Sequence, residues 1–232
     1  MNVTGIIGAM EEEVNILKSK MKVESIIKKA SMEFYVGTLN EKNVVIVRSG
    51  ISKVNAAVCA QILVDDFKID RVINTGIAGS LQNKIDIGDI VISSDALQHD
   101  VDATGFGYDL GVIPRMETSI FTADKDLVEL AKTVCEKEIP EIKAHIGRVV
   151  TGDQFISDKM IKDKIESNFH GYCTEMEGAS IAQVAYLNHI PFVILRAISD
   201  KADDSASVDY PTFEKKAIEH SVVLVENMIK AL

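Results

Sequence analysis

The chain has 232 residues, 47% of them hydrophobic, with 25 basic against 35 acidic residues and a formal net charge of −10. A sizeable core is therefore expected, and wholesale disorder is not. The acidic balance argues against a general nucleic-acid binder or a polybasic membrane anchor, both of which need a basic face, and suits a small neutral or cationic ligand.

In chain order, "VTGIIGA" is a β-branched run that predicts a buried strand. "EEEVNILKSKM" places Val14, Leu17 and Met21 at helical spacing. "MEFYVGTLNEKNVVIVRSG" holds two strand-like runs around polar "NEKN", which predicts a hairpin. "SKVNAAVCAQILVDDF" is alanine-rich and predicts a mostly buried helix. "DRVINTGIAG" and "GDIVISSDAL" predict strands, and from Gln98 to Ile120 the chain is irregular over a length usually functional or at an interface. "DKDLVELAKTVCEK", "MEGASIAQVAYLNH" and "FEKKAIEHSVVLVENMIKAL" predict helices, with "GRVVTGD" and "PFVILRAISD" as further strands. The pattern is α/β with a mixed sheet, without linker or repeat, and predicts one domain. Cys59, Cys135 and Cys173 are odd in number and far apart, which suggests neither a disulfide framework nor a zinc site and fits a reducing cytoplasm. The first residues do not resemble a signal peptide, and no apolar run approaches the ~18–20 residues that span a bilayer.

Small and polar residues gather where predicted strands end: "GAMEEE", "RSGISK", "NTGIAGS", "LQHDVD", "TGDQFIS" and "RAISDKADD". Open α/β sheets bind ligands outside the carboxyl ends of their strands, so one shared small-molecule site is expected. In "GAMEEE" the acids can serve a helix dipole, or one of Glu11, Glu12 and Glu13 can lean over the site as a general base. In "TEMEG", Glu175 and Glu177 can be helix-start acids, or a carboxylate accepting two hydroxyls of a vicinal diol such as ribose. "RAISD" ends an apolar strand with Arg196, Ser199 and Asp200, groups costly to bury unless paired or used. Asp153 and Phe155 of "GDQF" offer a carboxylate and an aromatic that can stack on a base or belong to the core. His99, Asp100 and Asp102 have no second histidine at ligand spacing, which argues against a metal, and the absence of GxGxxG argues against NAD.

Taken together, "GIIGAMEEEV", "SGISKVNAA", "NTGIAGS", "GDIVIS", "HDVDATGFGY", "TGDQFIS", "EMEGASIAQV" and "PFVILRAISDKAD" resemble the 5′-methylthioadenosine/S-adenosylhomocysteine nucleosidases of the purine nucleoside phosphorylase superfamily, nearly from end to end. The resemblance implies a phosphorylase/hydrolase-like three-layer α/β sandwich over residues 1–232, with a central mixed β-sheet flanked by helices. It implies a cytoplasmic homodimer in methionine salvage, a nucleoside substrate, and no cofactor, metal, nucleic acid or membrane partner. The reaction implied is hydrolysis of the N-glycosidic bond, releasing adenine and a 5′-thioribose; a 6-amino-6-deoxyfutalosine or 5′-deoxyadenosine nucleosidase, or a phosphorylase, is the alternative. By the same resemblance Glu13 activates water and Asp200 protonates adenine N7. Glu177 and Met176 contact ribose, Arg196 and Ser199 support the catalytic end, Phe155 stacks on adenine, and the Ile156 backbone bonds it. Met10 and Ile51 line the sugar and thioalkyl side. Ala103, Phe106 and Pro114 cap the partner's 5′-alkylthio pocket, facing Tyr210. This chain departs at Ile77, where many members carry serine near the water, and at Ser80, Gln98 and Tyr210, where glycine, tyrosine and phenylalanine are frequent.

Phosphorolysis needs a dianion site built from arginines and backbone donors. Three carboxylates at the first strand end oppose that, with Arg48 and Arg196 the only strand-end arginines to counter them. Water is therefore expected as the nucleophile.

Overall fold

The computed structural model describes residues 2–232. Its strands form one mixed sheet. β1 (Val3–Gly8) lies between β4 (Lys42–Arg48) and β5 (Arg71–Ser80), parallel to both. The runs are apolar because both faces are covered: Ile6, Ile7, Ile46 and Ile73 are fully buried. β3 (Met32–Leu39) makes the expected hairpin with β4. At the other side, β10 (Phe192–Asp200) pairs parallel with β5 and antiparallel with β6 (Ile90–Gln98). β6 continues to β8 (Ala144–Thr151), β8 to β9 (Cys173–Glu175), and β9 back to β5. These five strands close on themselves and bring the ends of β5, β8, β9 and β10 to one place. Short β7 (Phe121–Thr122) pairs with β6.

Helices α1 (Glu11–Lys20), α2 (Lys53–Phe67), α3 (Lys125–Glu138) and α5 (Gly178–Leu187) fall where helical spacing puts them. α2 is less buried than its alanine content suggests, because Val54 and Val58 face outward. α2 packs on α5, while α6 (Ala206–Ala231) packs on α1, α3, β5 and β10.

Three elements differ from the expectation. β2 (Lys22–Lys29) pairs with β3 at the edge of the sheet; it is exposed throughout, so no burial alternation betrays it. α4 (Lys159–Phe169) is mostly polar, and only Lys162, Ile165 and Phe169 are buried. α6 begins seven residues before Phe213 and carries Pro211 inside, a residue that normally ends a helix. It continues there with Thr212 Oγ1 donating to the Val208 carbonyl (2.9 Å).

Gly147 in β8 lies under the Tyr172 ring, and a Cβ there would approach it to 2.2 Å. Gly147→Ala is expected to cost about 1–3 kcal/mol by overpacking, read as a Tm lowered by a few degrees. An unchanged Tm would mean that the ring moves aside freely.

Candidate active site

A cavity of about 410 Å³ opens where the strand ends converge. All of the strand-end segments contribute to its wall except "LQHDVD". His99 of that segment is buried against Gly152 and Phe169, and Asp100 pairs with Lys53 (2.7 Å). Among the described residues no group of three or more His, Cys, Asp or Glu is disposed to hold a metal ion.

Glu13 comes from the first turn of α1. Its Oε2 accepts the amides of Ala9 (2.7 Å) and Met10 (3.0 Å), and its Oε1 accepts that of Ile77 (3.2 Å). Capping and facing the cavity are thus one geometry, because the residue three beyond the N-cap can reach back to that cap's backbone. Burial raises its affinity for a proton, opposed by the Arg196 charge and the three amides. Glu11 and Glu12 turn outward: Glu11 binds Lys18 (2.9 Å) and Glu12 is exposed. The expectation of three carboxylates crowding the first strand end is corrected to one.

The two "TEMEG" acids separate in role. Glu175 is structural: its Oε2 accepts Arg196 Nη2 (2.5 Å) and the amides of Glu177 (3.0 Å) and Gly178 (2.8 Å), and its Oε1 accepts the Thr151 hydroxyl. Glu177 faces the cavity, with the Ser52 amide donating to Oε1 (2.8 Å). Burial first, and then the Glu175 charge, push its pKa up to about 8.

Asp200 ends β10. Its pairing with β5 shifts register between Ile198 and Asp200, a bulge that re-aims side chains. Ser199 Oγ donates to Oδ2 (2.8 Å) and the Ala202 amide to Oδ1 (2.8 Å), and burial raises its pKa against those two bonds. The glycines opposite leave room for these groups. A Cβ on Gly76 would lie 2.6 Å from Glu13 Oε1, and one on Gly79 would lie 2.7 Å from Asp200 Oδ1.

Arg196 does not line the cavity. It is 1% exposed behind it, bound to Glu175 and to Asn74 Oδ1 (2.6 Å). Arg48 faces outward to Glu11 (3.9 Å). Arg196 tempers the cavity carboxyls from behind the wall, Arg48 does not reach them, and no Lys, Arg or His lines the cavity. Its apolar wall includes Met10, Ile51, Ile77, Ile156 and Met176. Phe155, half-exposed, meets Tyr210 edge-on at 5.9 Å. The Tyr210 hydroxyl donates to Glu214 (3.0 Å). Ser80 is buried and donates to the Gln82 carbonyl, and Gln98 donates to Gln183. Ala103, Phe106 and Pro114 contribute nothing to the wall. Ala103 is buried, whereas Phe106 and Pro114 are exposed, Phe106 to 87%.

Asn74 and Ser52 were not singled out by the sequence. A signal existed for Asn74, a polar residue inside the apolar run "VINTG"; for Ser52 there was none.

A carboxyl that binds its proton more tightly when folded contributes stability that is present below its unfolded pKa and lost as pH rises through the folded one. For Glu177 that window runs from about 4.5 to about 8. Glu177→Gln is therefore expected to match the parent's Tm near pH 5. It should exceed it near pH 8.5 by a few degrees, an effect of about 1–2 kcal/mol. Equal Tm values at both pH values would contradict the raised pKa.

The phosphorylase superfamily profile matches residues 3–230. The chain is 43% identical over 229 residues to the 5′-methylthioadenosine/S-adenosylhomocysteine nucleosidase of Staphylococcus aureus (strain bovine RF122 / ET3-1), covering 98% of this chain and 99% of that one. The solved structure of the Neisseria meningitidis nucleosidase of the same name, in complex with methylthio-immucillin-A, superposes with a TM-score of 0.95 at 36% identity, covering both chains fully. The futalosine hydrolase of Helicobacter pylori strain 26695 superposes with a TM-score of 0.94 at 31% identity, covering 100% of this chain and 98% of that one. The protein belongs to the phosphorylase superfamily and, within it, to the family of the 5′-methylthioadenosine/S-adenosylhomocysteine nucleosidases.

Proposed function

We propose that the protein is an N-glycosyl hydrolase that converts 5′-methylthioadenosine and S-adenosylhomocysteine to adenine and the corresponding 5′-thioribose. Kinship with nucleosidases supports the reaction. The observation that carries the choice of water over phosphate is the cavity wall: Glu13, Glu175, Glu177 and Asp200 contribute to it and no cation does. A phosphate dianion would meet carboxyl oxygens and no facing cation there, whereas a ribosyl cation forming in the transition state would be favoured by the same oxygens.

Adenine leaves poorly as an anion, so the base must gain a proton as the bond breaks. Asp200, whose pKa burial raises, is the acid toward N7. The C1′–N9 bond breaks as water adds to C1′, and Glu13 takes the water's proton. Solvent then reprotonates Asp200 and deprotonates Glu13. Two carboxyl groups flanking a glycosidic bond with water between them is the inverting arrangement of glycoside hydrolysis. Glu177 accepts the ribose hydroxyls beside Met176, and Phe155 stacks on adenine while the Ile156 backbone bonds it. Met10, Ile51 and Tyr210 surround the 5′ substituent, and Ser199 and Arg196 hold the carboxylates.

Residues 1–232 act in this reading as one nucleoside phosphorylase-like domain, in the cytoplasm, as a homodimer. No helix among the described residues is long and apolar enough to cross a membrane. Exposed apolar side chains include Val54 and Val58 on α2, Leu187 at the end of α5, and Phe106, Tyr108 and Ile120 along the irregular segment, and Asn188 joins α2 to the end of α5 through Gln61 (2.9 Å). A second copy covering them would receive Ala103, Phe106 and Pro114 at its own 5′ pocket. Similarity to the futalosine hydrolase favours a second substrate class, 6-amino-6-deoxyfutalosine, as the alternative.

Adenine release from both thioethers in phosphate-free buffer is the expected outcome, and a strict phosphate requirement would sink the assignment. Asp200→Asn should lower kcat by about 10²–10⁴-fold with KM little changed; full activity would exclude Asp200 as the acid. Val54→Glu should give a monomer by light scattering and lower kcat/KM at least about tenfold. A fully active monomer would remove the partner's residues from the site.

A further inference from the structure

Helix α2 starts in an unusual way. Ser52, its N-cap, has φ 90° and ψ 153°, a region essentially reserved for glycine. A serine at this position ordinarily turns its oxygen onto the helix amides, but Ser52 makes no such bond. Its Oγ donates to Asp153 Oδ1 (2.7 Å), and the same oxygen accepts the Lys53 amide (2.9 Å). A carboxylate from the loop after β8 therefore caps α2 and restrains Ser52 from both sides. The Ser52 amide is left pointing at the cavity, where it donates to Glu177 Oε1. Asp153 is held in turn, since its amide donates to Asp100 Oδ2 (3.0 Å) and Lys53 Nζ donates to Asp100 Oδ1 (2.7 Å). Lys53 and Asp100 are largely buried, their side chains 19% and 18% exposed. A continuous chain of bonds thus runs from the start of the irregular segment to Glu177.

We propose that Ser52 is a positioning residue for the sugar-binding carboxylate. Asp153 holds the Ser52 backbone in its glycine-like conformation, and the amide so aimed fixes one oxygen of Glu177, leaving the other for the ribose hydroxyls. The inference rests on the nucleosidase reading and deepens it. A carboxylate anchored at one oxygen meets a diol in a single orientation, whereas an unanchored one must be ordered by each substrate. The strain at Ser52 is maintained by the polar network around it, as strained residues beside binding sites commonly are.

The test compares 5′-methylthioadenosine with its 3′-deoxy analogue, using turnover in phosphate-free buffer and affinity by calorimetry. Ser52→Ala removes the Oγ tether while a Cβ still opposes positive φ. It should raise KM for methylthioadenosine by about fivefold, the worth of one hydrogen bond. It should change kcat less and erase most of the preference over the deoxy analogue. Ser52→Gly adopts the same φ without strain and should restore most of that preference. Asp153→Ala should reproduce the Ser52→Ala pattern, with Tm measured on each variant to report folding. Equal losses on both nucleosides in Ser52→Ala and Asp153→Ala would overturn the proposal, as would a Ser52→Gly variant no better than Ser52→Ala. Should the parent protein bind both nucleosides and release no adenine, the reaction assigned above fails, while the affinities still decide the role of Ser52.

Discussion

Everything in the cavity depends on one buried guanidinium. Arg196 sits behind the wall within electrostatic reach of Glu175, Glu177 and Glu13, and these carboxylates raise its pKa against the desolvation that would lower it. Several carboxyl groups could not be taken out of water together without it, because each uncompensated ion costs several kcal/mol to bury. One cation cannot balance three acids, however. Arg196 makes its direct contact with Glu175, which is also bonded by two amides and the Thr151 hydroxyl. Glu13 and Glu177 receive its field without its contact, and both hold protons more tightly than in water. The imbalance raises the proton affinity of carboxyl groups that line the cavity, as is common where acid–base chemistry is done.

The backbone makes room for this charge. Arg196 lies opposite Gly76 in the β10–β5 ladder, and Asp200 lies opposite Gly79. Each glycine vacates the space that a cavity-lining carboxyl group fills. Strand pairing matters equally, since β5 pairs with both β10 and β9 and so brings Glu175 onto Arg196. The site is thus built across strands distant in sequence and held by their pairing, so its precision is that of the sheet rather than of any loop.

Much of this was legible in the sequence, for definite reasons. β1, β4, β5 and β10 are buried on both faces over most of their length, and their apolar runs show it. β2 is exposed throughout and α4 buries only three side chains, so neither carries a strong hydrophobic period. The convergence of polar strand ends was legible as well, with "LQHDVD" the exception because its side chains turn to Lys53 and Gly152 rather than the cavity. What spacing could not reveal was the division of labour between Glu175 and Glu177. Two carboxylates two residues apart read alike until Arg196, twenty-one positions away from the first of them, is folded against it. Ser52 was likewise invisible, since a positive φ on a serine leaves no mark in composition.

The same point reshapes the charge at the end of β1. Read along the chain, "EEE" is a block of three negative charges facing an incoming anion. In the fold, Glu11 and Glu12 are solvated at a helix start and only Glu13 enters the cavity. The electrostatic preference for water over phosphate nevertheless persists, because the fold supplies from β9, its following turn and β10 what the helix start does not. Glu177 and Asp200 join Glu13 in the wall beside Glu175, whose charge Arg196 offsets from behind, and no cation faces the cavity. A surface cluster would be screened by salt within about 8–10 Å. Carboxyl groups enclosed by apolar walls are screened far less, so the selection against a dianion follows from the closure of the sheet around them.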